Sequence, residues 1–159
     1  MNYLSGSITQ MQSSYEVLVV GSGYGAAIAA SRLARAGRRV AILERGREWR
    51  AGDFPDSGLR ATQEMQFDLE VNGKGHRKGS PTALYDFRVN DDINVFLGCG
   101  LGGTSLVNAN VALKPDPRVM AQTTWPQALR ADINGLLNEC YSHVSAMLEP
   151  RDYPVEALG

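Results

Sequence analysis

The chain has 159 residues, with 16 Lys and Arg against 17 Asp and Glu and a net charge of −1. That length suits one domain of ordinary size, and so even a balance leaves no basic footprint for nucleic acid or an anionic membrane. Hydrophobic residues make up 43% and charged residues 21%, the composition of a soluble globular protein, and no apolar run approaches the roughly 18 residues of a membrane span.

The N-terminus, MNYLSGSITQMQSS, has neither the basic cluster nor the apolar core of a secretory signal. It reads as a short mobile lead-in over residues 1–13. The two cysteines, Cys99 and Cys140, are far apart and in no C-x-x-C spacing, which fits reduced thiols in a cytoplasmic protein. No residue is assigned to a metal.

From Tyr15 the sequence YEVLVVGSGYGAAIAASRLARAGRRVAILERG predicts strand, glycine turn, helix, strand and acid. Val17 to Val20 is a continuous apolar run of the kind buried on both faces of a parallel sheet. Gly21-Ser22-Gly23-Tyr24-Gly25-Ala26 fits G-x-G-x-x-(G/A). In that pattern Gly21 allows the tight turn, Gly23 lets the backbone approach a pyrophosphate, and Ala26 lets the helix pack close to the strand. The helix runs to about Ala36, with Gly37 as its C-terminal cap, and its free N-terminal amides favour an anion. The second strand, Val40 to Leu43, ends at Glu44, whose carboxylate can accept hydrogen bonds from an adenosine ribose. An unrelated β-α-β unit with a glycine turn would leave that acid without a partner. Glu44 also opposes a 2′-phosphate, although Arg45 and Arg47 nearby could accept one. FAD and NAD remain open on this stretch.

Residues 45–58 (RGREWRAGDFPDSG) read as surface loop. Trp49 and Phe54 are expected to pack it down, with a substrate contact as the alternative. A short helix is predicted over about Leu59 to Gln66. Phe67, Leu69 and Val71 then alternate with Asp68 and Glu70 as a half-buried strand. Asn72-Gly73 is a turn signal, and Lys74 to Thr82 reads as a polar loop in which His76 is solvated. Leu84 to Val89 alternates again and is expected to pair with the earlier strand, forming an excursion beside the nucleotide-binding core.

The stretch INVFLGCGLGGTSLVNANVAL, residues 93–113, places Gly98, Gly100, Gly102 and Gly103 inside an apolar frame. Such a cluster implies that backbone passes close to something, with an extended cofactor or a tight structural turn as the two readings. Thr104 and Ser105 can cap a helix or bond phosphate oxygens. Asn108 and Asn110 can bond both edges of a flat heterocycle. Cys99 reads as a small packed thiol, with covalent flavin attachment as the alternative. After Pro126, the residues Leu129, Ile133, Leu136, Leu137, Cys140, Val144, Met147 and Leu148 recur at three- and four-residue steps. They predict one amphipathic helix, slightly weakened by Gly135 and ended by Pro150. His143 is expected to be a solvated or packed helix residue. Such a helix must bury its stripe, and a sheet built from this chain alone has few central strands, so a truncated fold is expected.

The glycine turn with Glu44, together with Gly98-Cys99-Gly100-Leu101-Gly102-Gly103-Thr104-Ser105-Leu106-Val107-Asn108, resembles the glucose-methanol-choline (GMC) oxidoreductases, and among them the cholesterol oxidase-like branch. The resemblance covers about Tyr15 to Trp125. It implies an α/β fold, a Rossmann-type FAD-binding domain with a parallel sheet, flanking helices and a β excursion. It implies FAD, held at the pyrophosphate by Gly21, Gly23, Tyr24 and Gly25, with Ser22 and Ala26 completing the turn, Glu44 at the ribose and Arg45 beside it. Gly98, Gly102, Gly103, Thr104 and Ser105 would follow the phosphate and ribityl side, and Asn108, Ala109 and Asn110 the isoalloxazine. The implied reaction is hydride transfer from a small-molecule alcohol, in this branch sterol-like, to flavin N5. The family's catalytic His lies near the C-terminus of much longer chains, and nothing here matches it, so the catalytic residue is unknown.

The expected organisation is a lead-in (1–13), an FAD-binding domain (14–122), an amphipathic helix opening the next part of the fold (123–150) and a truncated end (151–159). An NAD-dependent dehydrogenase and a catalytically silent FAD-binding fragment are the alternatives. A split enzyme, with the missing C-terminal part on another chain, would be active only on mixing.

Overall fold

The computed structural model describes residues 3–71, 74–109, 111–152, 154 and 156. They form two compact units, Met1–Ala109 and Asn110–Gly159.

The first unit opens with the expected β-α-β. Strand β1 (Val17–Val20) and strand β2 (Val40–Leu43) pair in parallel, Val17 opposite Val40 through Val20 opposite Leu43. Helix α1 (Tyr24–Arg35) connects them and packs on both. Its alanine-rich run favours helix, and Gly37, at φ 80°, stops it. The Gly37 amide donates to Ala34 and the Arg38 amide to Leu33, the paired closing bonds of a Schellman cap. One expectation fails. β1 is not buried on both faces: Val17 and Val19 are half-buried, but Leu18 is 51% and Val20 81% exposed. Among the described residues β1 and β2 form a sheet of two strands, which covers little of its own surface.

The chain then forms helix α2 (Gly58–Gln63), capped by the Ser57 hydroxyl, which accepts from the Arg60 amide. It is shorter than expected, because Met65 and Gln66 already belong to strand β3 (Met65–Val71). Strands β4 (Lys74–Lys78), β5 (Tyr85–Val89) and β6 (Val95–Gly98) complete a four-stranded sheet in the order β4-β3-β5-β6. β5 pairs with β3, as expected of the two alternating runs, and runs parallel to it, while β4 and β6 run antiparallel to their neighbours. The segment expected to be a polar loop is therefore a strand over its first half. Its sequence, KGHRK, shows no apolar alternation because β4 is an edge strand, where charge is tolerated and guards against aggregation. Asp68 and Arg77 face each other across β3 and β4 in an ion pair of 2.7 Å. The Asn72-Gly73 turn signal lies outside the described residues.

The core of this unit sits under the second sheet. Leu84 and Ala83 are fully buried, and aromatic rings pack along the strands, Phe67 against Phe87 and Tyr85 stacked on Phe96. Trp49 packs the preceding loop down as expected, 7% exposed, against Phe54.

The second unit contains α3 (Pro117–Met120), α4 (Gln127–Ala131) and α5 (Leu136–Leu148). The single helix expected after Pro126 is broken between α4 and α5. Gly135 leaves the helical region at φ −101°, ψ −125°, and the Asp132 carboxylate accepts the Leu136 and Leu137 amides that a continuous helix would have bonded internally. Asp132 therefore acts as a cap, where the periodicity of the apolar residues had suggested continuation.

Candidate dinucleotide-binding site

Between β1 and α1 the chain turns at Gly21, whose φ is 88° and whose amide donates to Leu43 O at 2.7 Å. Gly23 then caps α1 with no side-chain hydrogen bond, so the first helical amides keep their donors outward. A Cβ built at Gly21, Gly23 or Gly25 would meet nothing within 4 Å. The turn is an open cradle, with the helix dipole directed at it. Within α1 the buried position is Ala30, four residues after the half-buried Ala26 that was expected to make the close packing.

The half-buried Glu44 has protein partners. Its Oε2 accepts from the Ser22 amide at 3.0 Å and the Ser22 hydroxyl at 2.6 Å, and its Oε1 from the Gly46 amide at 2.9 Å. Glu44 is therefore not the unpartnered acid that the sequence suggested. What stands is geometric: these bonds fill three of a carboxylate's roughly four acceptor sites and fix its orientation. Glu44 and Ser22 line a groove of about 1580 Å³.

The second glycine stretch lies directly on the first. Gly103 has φ 60°, and a Cβ there would stand 2.8 Å from Gly23 Cα. The Gly100 position faces Arg47 O and the Trp49 ring, Gly46 abuts Gly100, and the Trp49 indole donates to Cys99 O at 3.0 Å. The close approach that the glycine cluster required is thus to protein backbone and to Trp49. Gly98 likewise packs on Gly103 O and Thr104. Gly102 begins a 3-10 turn over Gly103–Val107, where the Ser105 hydroxyl donates back to Gly102 O. Asn108 donates to the Tyr24 hydroxyl at 3.1 Å, joining the end of this turn to the start of α1. Thr104 is half-buried and Ala109 exposed; Asn110 lies outside the described residues.

Residues 19–74 match the family model of an NAD(P)-binding Rossmann-like domain. Over 154 residues, 91% of the chain, the sequence is 28% identical to a cholesterol oxidase of Acinetobacter baumannii and spans 26% of that protein. It is 33% identical over 110 residues, 69% of the chain, to an uncharacterised GMC-type oxidoreductase of Mycobacterium tuberculosis, 15% of whose length it spans. The chain is a relative of the GMC-type oxidoreductases. A long-chain-alcohol oxidase of Arabidopsis thaliana is 33% identical over 120 residues, 76% of the chain and 14% of that protein. The chain spans about a quarter or less of the length of these curated relatives.

One expected site residue, Arg45, is engaged elsewhere. The Arg45 guanidinium donates to Asp86 Oδ2 at 2.8 Å and to Gln66 Oε1 at 3.4 Å, tying the end of β2 to the four-stranded sheet. Asp86 is 3% exposed and also pairs with Arg88. Burial pushes its pKa up, but the bonds from Arg88 and Arg45 outweigh that and hold the carboxyl below the usual range. Cys99 is buried, its thiol directed at Pro81 O, which suits the packed-thiol reading. Sequence reasoning assigned Ser22 only to the turn and missed its bridging role. The signal available was a hydroxyl residue between the two turn glycines with an acid at the end of the next strand.

Proposed function

We propose that this chain binds FAD and forms the cofactor-holding part of a GMC-type oxidoreductase that oxidises an alcohol. The observation that carries the reading is the open glycine turn at the N-terminus of α1, where Gly21, Gly23 and Gly25 leave free space on the amide-bearing end of the helix. Backbone donors and a helix dipole with no side chain in the way suit a pyrophosphate. FAD is favoured over NAD by the second glycine stretch, Gly98 to Asn108, whose sequence resembles the GMC pattern and which packs against Gly23.

In this reading Gly21, Gly23, Tyr24 and Gly25 hold the pyrophosphate, and Glu44 uses its remaining acceptor capacity for the ribose. Gly102, Gly103 and Ser105 follow the phosphate and ribityl side, and Asn108 to Asn110 the flavin. Arg45 leaves the cofactor set, because Asp86 holds its guanidinium. Bound FAD supplies the hydride acceptor for the alcohol carbon. The chain's own residues bind and orient it and set the local electrostatics. The relatives named for cholesterol and for long-chain alcohols support an apolar, sterol-like alcohol as substrate.

The base that takes the alcohol proton is assigned to none of the described residues. His76 is exposed on edge strand β4 and His143 is exposed on α5, and neither belongs to a glycine motif. A supply of that base by a separate chain follows as a partner hypothesis. The free thiols Cys99 and Cys140 fit a cytoplasmic location.

The family model's description favours one second reading, an NAD-dependent dehydrogenase. An absorbance spectrum of the purified chain, taken after adding FAD and removing the excess, tests the two. Retained flavin bands are expected. A folded chain that retains NAD and no flavin would overturn the FAD reading. Anaerobic bleaching of the bands by an alcohol panel then separates an active enzyme from a silent cofactor-binding fragment.

A further inference from the structure

The N-terminal lead-in is anchored. The Leu4 and Ser5 amides donate to the two carboxylate oxygens of Glu48, at 3.1 and 2.8 Å. The Arg50 guanidinium carbon stands 3.2 Å from the centroid of the Tyr3 ring. After this clamp the chain makes a 3-10 turn, Ile8–Gln10, capped by the Ser7 hydroxyl. The clamped segment lines the same groove as the ribose-side residues: Leu4, Ile8 and Met11 share it with Ser22, Ile42 and Glu44. Leu4 is 87% and Ile8 78% exposed. Large apolar side chains held at a groove beside a carboxylate match a ligand with a flat, weakly polar ring joined to a hydroxylated sugar. Apolar walls with a few placed polar groups are the usual makeup of a nucleotide or cofactor site.

We infer that residues 3–11 form a strap at the adenosine end of the nucleotide groove, latched by Glu48, and that this strap slows release of the adenine nucleotide. The inference rests on the cofactor reading above but concerns different residues. Glu48 bonds the strap and pairs at 3.9 Å with Arg50, the residue over Tyr3, so its removal loosens the latch, and the Leu4 and Ile8 changes test the strap without touching Glu48. Leu4 and Ile8 supply the apolar contact, and their exposure allows polar replacement without opening a core.

The test compares the full chain with Glu48→Ala and with the double variant Leu4→Ser, Ile8→Ser, each checked for folding by circular dichroism. Release rates are measured for FAD by the recovery of flavin fluorescence and for ADP by displacement. FMN, which lacks the adenosine half, is the control. Both variants are expected to release FAD and ADP about tenfold faster, a difference of about 1.4 kcal/mol, and to leave FMN binding unchanged. Unchanged FAD and ADP release in both folded variants overturns the strap. An equal loss for FMN overturns it too, since the effect would then come from the fold as a whole. A parent chain that binds ADP but not FAD overturns the cofactor reading while ADP release still judges the strap. A folded parent that binds neither overturns both.

Discussion

The Ser22 hydroxyl donates to Glu44 Oε2 at 2.6 Å and accepts the Gly102 amide at 2.9 Å. One buried side chain thus joins the first glycine turn, the acid at the end of β2 and the second glycine stretch. Gly100 O is also near the hydroxyl, at 3.3 Å, but a single proton serves the shorter, charged acceptor better. Ser22→Ala leaves the Gly102 amide without its acceptor and Glu44 with one donor fewer. A buried polar group stripped of its partner costs about 1–3 kcal/mol. Urea unfolding should show a loss of that size, and nucleotide affinity should fall with it. Ser22→Thr, which keeps the hydroxyl, should recover most of the affinity. An unfolding midpoint unmoved by the alanine change would remove Ser22 from this role.

Two glycines that look alike in sequence should respond oppositely to alanine. Gly103, at φ 60° with Gly23 Cα only 2.8 Å from its missing Cβ, has neither the backbone freedom nor the space for a side chain. Gly103→Ala should destabilise the fold by about 1–3 kcal/mol, the usual cost of a strained backbone position. Gly25 lies in α1 with nothing within 4 Å. Gly25→Ala should stabilise the helix by about 0.5–1 kcal/mol while crowding the cradle, so thermal stability is kept or raised as cofactor retention falls. Loss of folding in Gly25→Ala would contradict the assignment of that space to a ligand.

Acid stability should depend on Asp86. Burial raises its pKa, yet hydrogen bonds from Arg88 and Arg45 lower it further, so the net shift is downward. The unfolded carboxyl, near about 3.9, therefore takes up a proton before the folded one. The contribution of the Arg45–Asp86–Arg88 cluster is complete above the unfolded value and is lost as the pH falls through the lowered folded value. Asp86→Asn should destabilise the chain at neutral pH and flatten the acid limb of its stability curve. An acid limb of unchanged steepness would show that other carboxylates carry it.

In the second unit, Asp132 caps α5 through the Leu136 and Leu137 amides. Asp132→Ala should cost about 1 kcal/mol, as for loss of a capping side chain, and reduce helical circular dichroism. Gain of helix on this change would favour a continuous helix across Gly135.

The sequence by itself determined the β-α-β start, because an apolar strand, a glycine turn and an alanine-rich helix are local signals whose residues form the same element in most surroundings. It also located both glycine stretches and, through their patterns, the family. Only the tertiary structure decided what those glycines are for. Gly103 and Gly100 serve the packing of one backbone on another, while a side chain at Gly23 or Gly25 would face open space, and spacing along the chain cannot distinguish the two. Strand β4 was invisible because an edge strand is held by backbone bonds to its neighbour and needs no apolar side chains. The break at Gly135 was hidden because apolar periodicity continues through it, while a single carboxylate, Asp132, claims the amides that the helix would have used. Arg45 was drawn to Asp86, 41 residues away in sequence, and the exposure of Leu18 and Val20 followed from how few strands lie beside them. Each of these outcomes depends on which groups meet in space, and that is settled only when the chain has folded.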